Sequence, residues 1–184
     1  MIGFPIALVY ANAAEWWIHK NVLHGPGKKR ASFWSFHFHE HHNASRRNDM
    51  VDDAYHRPLF AWHAQSKEAL GVFALAAMHT PLAPVAPGFV LGVWASAALY
   101  YRRHKRSHLD PQWAREHLSW HVDHHMGPNQ DANWCVTFPW FDHVMGTREP
   151  YVGTEREAND RARTAKRKAR RAAAKAAEAE TEAA

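Results

Sequence analysis

The sequence predicts an all-α protein: a membrane-associated helical bundle with an apolar helical hairpin and a cytosolic, histidine-rich cap. Three observations predict it. Apolar stretches of helical length alternate with segments rich in Trp, His and turn residues, and no sustained polar–apolar alternation suggests strands. The longest apolar zone is broken at its centre by Pro81, Pro84, Pro87 and Gly88, as a turn between two helices would be. Sixteen histidines in 184 residues all fall between His19 and His143. The excess therefore belongs to the folded part of the chain and is not an affinity tag.

The first element runs from Ile2 to Ile18, mostly apolar, interrupted by Asn12 and Glu15, and leads directly into His19. No basic stretch precedes it, so it reads as a membrane-embedded or buried helix and not as a signal peptide. The second zone, Ala69 to Tyr101, divides into ALGVFALAAMHT and FVLGVWASAALYY around the proline-rich turn. Each half is shorter than the roughly 20 residues that span a bilayer. With flanking residues such as Leu59 to Trp62 the halves would span; alone they would form a re-entrant hairpin buried beside other helices. Lys20, Lys28, Lys29, Arg30, Arg46, Arg47, Arg102, Arg103, Lys105 and Arg106 flank the apolar zones on the histidine side, whereas the turn carries no charge. That asymmetry predicts an integral membrane protein with its histidines on the cytoplasmic face, and the expected location is a bacterial inner membrane. A soluble bundle with a buried hairpin is the alternative that the mean hydropathy of −0.54 leaves open.

Composition changes sharply at residue 155. The expected organisation is a domain over residues 1–153 and a charged tail over 154–184, helical or disordered. From Glu155 onward the tail holds nine Lys or Arg against six acids, so half or more of the formal charge of +5 lies there. A solvated basic segment explains this, contact with anionic lipid headgroups is the alternative, and a nucleic-acid partner is not expected. The single cysteine, Cys135, excludes a disulfide framework and a cysteine-based zinc or iron–sulfur site, and reads as a packed residue.

The histidines form three clusters. HKNVLH places His19 and His24 five apart, a spacing wide for one metal, before the helix-ending Gly25 and Pro26. FHFHEHH holds His37, His39, His41 and His42; on an α-helix His37 and His41 share a face, while His39 points the other way beside His42. The third cluster pairs His104 with His108, then after Asp110 and Pro111 presents His121, His124 and His125 on one face, with His117 a turn earlier. So many imidazoles would repel if protonated and be costly to bury neutral without partners. Transition metals remove both difficulties, and eight to ten ligands exceed the need of one ion, so a dinuclear metal site is implied. Glu40, Asp123 and Asp142 adjoin the candidates and would hold imidazole N–H groups.

These motifs, in this order, resemble the fatty acid hydroxylase superfamily of membrane di-iron enzymes, which includes sterol desaturases, fatty acid 2-hydroxylases and carotenoid hydroxylases. The resemblance covers roughly residues 13 to 151. EWWIHKNVLHG looks like the first motif, close in wording to carotene hydroxylases; FHFHEHH looks like the second, HKRSH the intermediate pair and HVDHH the last. NWCVTFPWFDHVMGT, from Asn133 to Thr147, is similar to the closing segment. The resemblance implies two irons, with zinc possible in isolated protein, and O2 as cosubstrate. It further implies a lipid substrate (fatty acyl, sterol or carotenoid) and an external electron donor of ferredoxin or cytochrome b5 type with its reductase. Carried over motif by motif, the metal ligands would be His19, His24, His37, His41, His42, His104, His108, His121, His124 and His125. The chain departs from the pattern twice. Phe38 stands where the second motif usually has its first histidine, so His37 or His39 takes that role, His37 being preferred. Only the stretch Ile2–Ile18 precedes His19 where a membrane helix pair is usual; either the membrane part is reduced or the chain starts further upstream.

His56, His63 and His143 read as structural or surface residues, His79 as a buried polar group in need of a partner. Trp62, Phe73 and Trp94 would line the access path of a lipid chain. No segment for binding haem or flavin is present. The expected activity is oxygen-dependent hydroxylation of a lipid C–H bond by a membrane non-haem di-iron oxidoreductase. The alternative is a non-catalytic metal-binding membrane protein that retains the hydroxylase fold; a zinc hydrolase is disfavoured because no general base accompanies the histidines.

Overall fold

The structure is a computed structural model that describes residues 2–182. Residue 1 of the expected domain and the last two residues of the expected tail lie outside the described residues. Every regular element among the described residues is helical, as the sequence predicts. The chain divides into two compact units at Pro150–Tyr151.

In the first unit, α1 (Gly3–Ile18) runs into a π-helical segment, His19–Leu23. A second π-helical segment, Phe36–His42, continues into the short α2 (Asn43–Arg47). The apolar hairpin follows: α3 (Ala64–His79), a tight turn at Thr80–Leu82, and α4 (Pro87–Leu109). Pro87 opens α4, where its missing N–H costs nothing, and Trp94 Nε1 donates to Thr80 Oγ1 at 3.1 Å across the turn. Asp110 closes α4 and caps α5 (Pro111–His117), its carboxylate accepting from the Trp113 N–H. Then come α6 (Ser119–Met126) and α7 (Trp140–Val144).

The helices meet through small residues. Ala7, Ala76, Val93 and Ala97 form a buried core joining α1, α3 and α4, with Val72, Phe73 and Phe89 packed against it. The approach of α1 to α4 requires glycine: a Cβ at Gly92 would sit 2.6 Å from Ala7 Cβ and 2.8 Å from Phe4 O. This packing places the start of α1 beside the hairpin turn at one end. The C-terminus of α1, the N-terminus of α3 and the C-terminus of α4, which carry His19, Glu68 and His104, gather at the other. Ile2, Met78 and Val85 are exposed at the hairpin end. Among the described residues no helix is long and apolar enough to cross a membrane. The 23 residues of α4 have the length, at about 1.5 Å per residue, but its last turns read RRHKRSH.

The second unit is dominated by α8 (Glu155–Glu182), so the described tail is helical. Thr154 Oγ1 accepts from the Glu157 N–H at 3.3 Å while the Glu157 carboxylate accepts from the Gly153 N–H at 2.8 Å, a reciprocal arrangement that starts the helix. From Arg161 to Glu178 the helix side chains are exposed.

Two glycines test the packing account. Gly92→Ala is expected to lower stability by about 1–3 kcal/mol, because neither Ala7 nor the Phe4 backbone can retreat. Gly71→Ala in α3, where a Cβ meets nothing within 4 Å, should be neutral or stabilise by up to about 1 kcal/mol. Thermal unfolding of the two variants measures the contrast.

Candidate metal centre

The two π-helical segments explain a spacing that an α-helix leaves awkward. A π-helix bonds each N–H to the carbonyl five residues back, so residues five apart stand nearly over one another. The His24 N–H donates to His19 O at 2.9 Å, and the two imidazoles lie with centroids 5.1 Å apart. In the second segment His37 and His42, also five apart, bring their Nε2 atoms within 3.2 Å. The pairing of His37 with His41 expected for an α-helix does not form one site; the two residues belong to different groups. His39 stands apart from both, its ring bonded to Lys28 O at 2.9 Å instead of lying with His42.

The buried histidines form two adjoining groups. His19, His24, His37, His42 and His124 each offer a nitrogen, all within 4.8 Å of one another, and His41, His104, His108 and His125 do the same. His121 joins the second group through its Nε2, 3.0 Å from His108 Nε2. All ten side chains are buried. The single face expected for His121, His124 and His125 is therefore divided, because α6 runs between the groups and gives His124 to one and His121 and His125 to the other. The groups touch where His42 and His125 lie with centroids 4.3 Å apart.

Around this core an outer set of acceptors fixes the tautomers. The Nδ1–H of His124 donates to Ala132 O at 2.7 Å, that of His108 to Met50 O at 2.8 Å, and that of His19 to Trp134 O. His41 Nδ1 donates to Asp52 at 2.8 Å, His42 Nδ1 to Gln130 Oε1 at 3.0 Å and His104 Nδ1 to Glu68. His24 Nδ1 faces Asp131 at 3.4 Å, a carboxylate also held by Lys28. Glu68 in turn accepts from the Tyr55 hydroxyl. An imidazole that donates through Nδ1 presents a lone pair at Nε2. The short Nε2 contacts of His19 with His37, His24 with His42, His42 with His124 and His104 with His108, at 2.9 to 3.3 Å, thus bring acceptors together with few protons to share. Among the described residues, His41 Nε2 and both ring nitrogens of His125 are buried with no hydrogen-bond partner. Such an arrangement fits cations at its centre.

Burial, reinforced by the neighbouring imidazoles, holds His19, His24, His37, His41, His42, His108, His121, His124 and His125 below the usual histidine range. They are therefore neutral, the form that binds metal.

The carboxylates picked from sequence do other work. Glu40 pairs with Lys67 at 3.2 Å and Asp123 with Arg148 at 2.7 Å. Asp142 accepts from the backbone N–H groups of Trp134 and Cys135 and from the Thr147 hydroxyl. Asp142 thereby shapes the closing segment whose Ala132 and Trp134 carbonyls hold imidazoles. Asp52, Glu68, Gln130 and Asp131 were missed because only the tertiary fold brings them to their histidines; Glu68 is 36 residues from His104. Cys135 is buried beside Trp16 and Trp134, as expected of a packed residue. His117 is exposed and stacks on Trp113. His56 and His143 are exposed, and buried His63 bonds to Pro58 O.

From His19, His37 and Glu68 a cavity of about 580 Å³ extends between α1 and α3 over α4 to Tyr10, Met78 and His79. Its walls include Leu8, Ala11, Ala14, Val72, Leu75 and Ala97. Trp62, Phe73 and Trp94 are not among its lining residues: Trp62 is exposed, and Phe73 stacks on Trp94 elsewhere on the hairpin.

Two predictions follow from the outer acceptors and the neutral imidazoles. Asp52→Asn and Glu68→Gln should each weaken metal retention about 10–100-fold, whereas Glu40→Gln should leave it unchanged, as read by metal remaining after dialysis against chelator. The folded protein keeps the nine imidazoles named above neutral while the unfolded chain protonates them near 6.5. Stability and metal retention should hold above that pH and fall as pH drops below it, by up to about 1.4 kcal/mol per pH unit for each imidazole. Melting temperature and metal content measured from pH 8 to 5 check the sign.

No curated protein and no solved structure matches the chain. Residues 4–147 match the family model described as Fatty acid hydroxylase, a span that takes in both histidine groups and the closing segment. The chain belongs to the fatty acid hydroxylase family.

Proposed function

We propose that this protein is an oxygen-dependent di-iron hydroxylase that oxidises a C–H bond of a lipid, with electrons from a separate donor of ferredoxin or cytochrome b5 type. One observation carries the reading: two adjoining groups of buried imidazoles, seven of them held at Nδ1 by outer acceptors, lie at the head of an apolar cavity. His19, His24, His37, His42 and His124 would hold one ion, and His41, His104, His108, His121 and His125 the other. An all-imidazole set suits iron, and zinc would occupy it if supplied instead. Metals held there would supply the reduction of O2, by which one oxygen atom would be inserted into the C–H bond and the other released as water with two electrons from the donor and two protons.

The protein's own residues do the rest. The Asp52 and Glu68 carboxylates keep His41 and His104 oriented and electron-rich. The apolar walls hold an extended hydrocarbon and keep water from the reacting carbon. His19 and His37 line the cavity as well as belonging to the first group, so the substrate meets the centre there. Exposed Lys29, Arg30, Arg47 and Arg57 lie on segments of the histidine-rich part of the unit and would attract an acidic electron donor. The exposed apolar residues at the hairpin end support contact with a membrane that the hairpin enters without crossing.

Protein prepared anaerobically from membranes should contain about two irons per chain. His124→Ala should lose that metal and His56→Ala should keep it. Cells carrying the gene should accumulate a lipid that takes up label from 18O2, and a His42→Ala variant should abolish it. A metal-free preparation, or a product without label, would overturn the proposal.

A further inference from the structure

We propose that Tyr10 and His79 form a hydroxyl-recognition site at the far end of the cavity, so that the substrate is an elongated, uncharged molecule bearing a hydroxyl at one end. The inference deepens the hydroxylase reading and rests on it for what happens at the opposite end.

The two helices that wall the cavity run antiparallel and measure its length. Tyr10 precedes His19 by nine residues along α1, about 14 Å at the helical rise. Glu68 precedes His79 by eleven along α3, about 16 Å. Between the histidine end and this pair the two facing walls are largely apolar, with Ala11, Ala14, Leu75 and Ala76 among them. At the far end Tyr10 Oη and His79 Nε2 lie 3.0 Å apart. The partner that the sequence demanded for His79 is therefore Tyr10, and the pair is partly exposed instead of buried.

The direction of that hydrogen bond selects the ligand. His79 Nδ1 donates to Leu75 O at 2.8 Å, which leaves Nε2 as an acceptor, so the Tyr10 hydroxyl is the donor between them. Both protons of the pair are thus committed, and Tyr10 Oη retains only lone pairs. A hydroxyl can donate to them. A carboxylate or ketone has no proton to offer and would have to break the existing bond. The Phe89 ring, with its centroid 5.4 Å from that of Tyr10 and 6.2 Å from that of His79, backs both groups. At the histidine end Lys67 lines the cavity, but its ammonium is engaged by Glu40, so a free acid gains little there. The geometry therefore fits a molecule whose hydroxyl lies about 14–16 Å from the carbon presented to the metals.

Binding of radiolabelled 1-tetradecanol, tetradecane and tetradecanoate to immobilised full-length protein in detergent tests this without turnover. Wild type should hold the alcohol about tenfold more tightly than the alkane or the acid. Tyr10→Phe combined with His79→Leu, so that the Nε2 lone pair freed by the first change cannot accept in its place, should reduce the alcohol to the level of the alkane while leaving alkane binding and iron content unchanged, a selectivity that a merely structural Tyr10–His79 bond would not produce. Equal affinity of wild type for alcohol and alkane, a preference that survives in the double variant, or tightest binding of the acid would each overturn the proposal. Because the readout needs neither O2 nor electrons, its failure is distinct from failure of the hydroxylase reading, which the metal count and 18O label decide.

Discussion

Imidazole nitrogens that have given their outward protons to fixed acceptors must turn lone pairs toward one another, and the rest of this structure is arranged around that constraint. His108, His124 and His19 donate to backbone carbonyls, and His41 and His104 to carboxylates. The inward nitrogens cannot satisfy one another, and some have no partner. Without cations the cluster would be a concentration of buried, unsatisfied acceptors, each costing on the order of 1–3 kcal/mol. Metal binding at this cluster and the folding of the cap would accordingly be parts of one equilibrium.

The closing segment shows how that constraint reaches into loops. Asp142 gathers the Trp134 and Cys135 amides, and Asn133 adopts a positive φ of 57° with its side-chain oxygen accepting from Arg148 and the Glu149 N–H. The backbone thus fixed delivers the carbonyls of Ala132 and Trp134 to His124 and His19. Below the cap, the small residues between α1 and α4 set how far the first histidine segment stands from the others. Packing of the hairpin and geometry of the metal centre are linked through α1.

The sequence makes much of this legible. Helical content, the hairpin turn and the pairing of His104 with His108 follow from composition and α-helical spacing, because these elements obey local rules. The partition of the ten histidines does not, since it depends on π-helical register in two segments and on α6 passing between the groups. The acceptors were less legible still. Glu40, Asp123 and Asp142 adjoin histidines in sequence yet satisfy Lys67, Arg148 and a loop, while Asp52, Glu68, Gln130 and Asp131 reach their imidazoles only through tertiary contacts, and three further acceptors are main-chain carbonyls with no side-chain signature. The hairpin was legible as an element, but its apolar length does not amount to a crossing.

The π-helical turn over Phe36–His42 also bears on how a motif is counted. The resemblance to the wider superfamily places a histidine three positions before the His–His pair, and here the interval is one longer, with Phe38 in the usual place. Widening the helix by one residue per turn absorbs that insertion, so His37 and His42 still meet. Gap length and helical pitch can therefore change together while the set of nitrogens they assemble stays the same. A family defined by fixed intervals between histidines would exclude chains that one defined by hydrogen-bond register would keep.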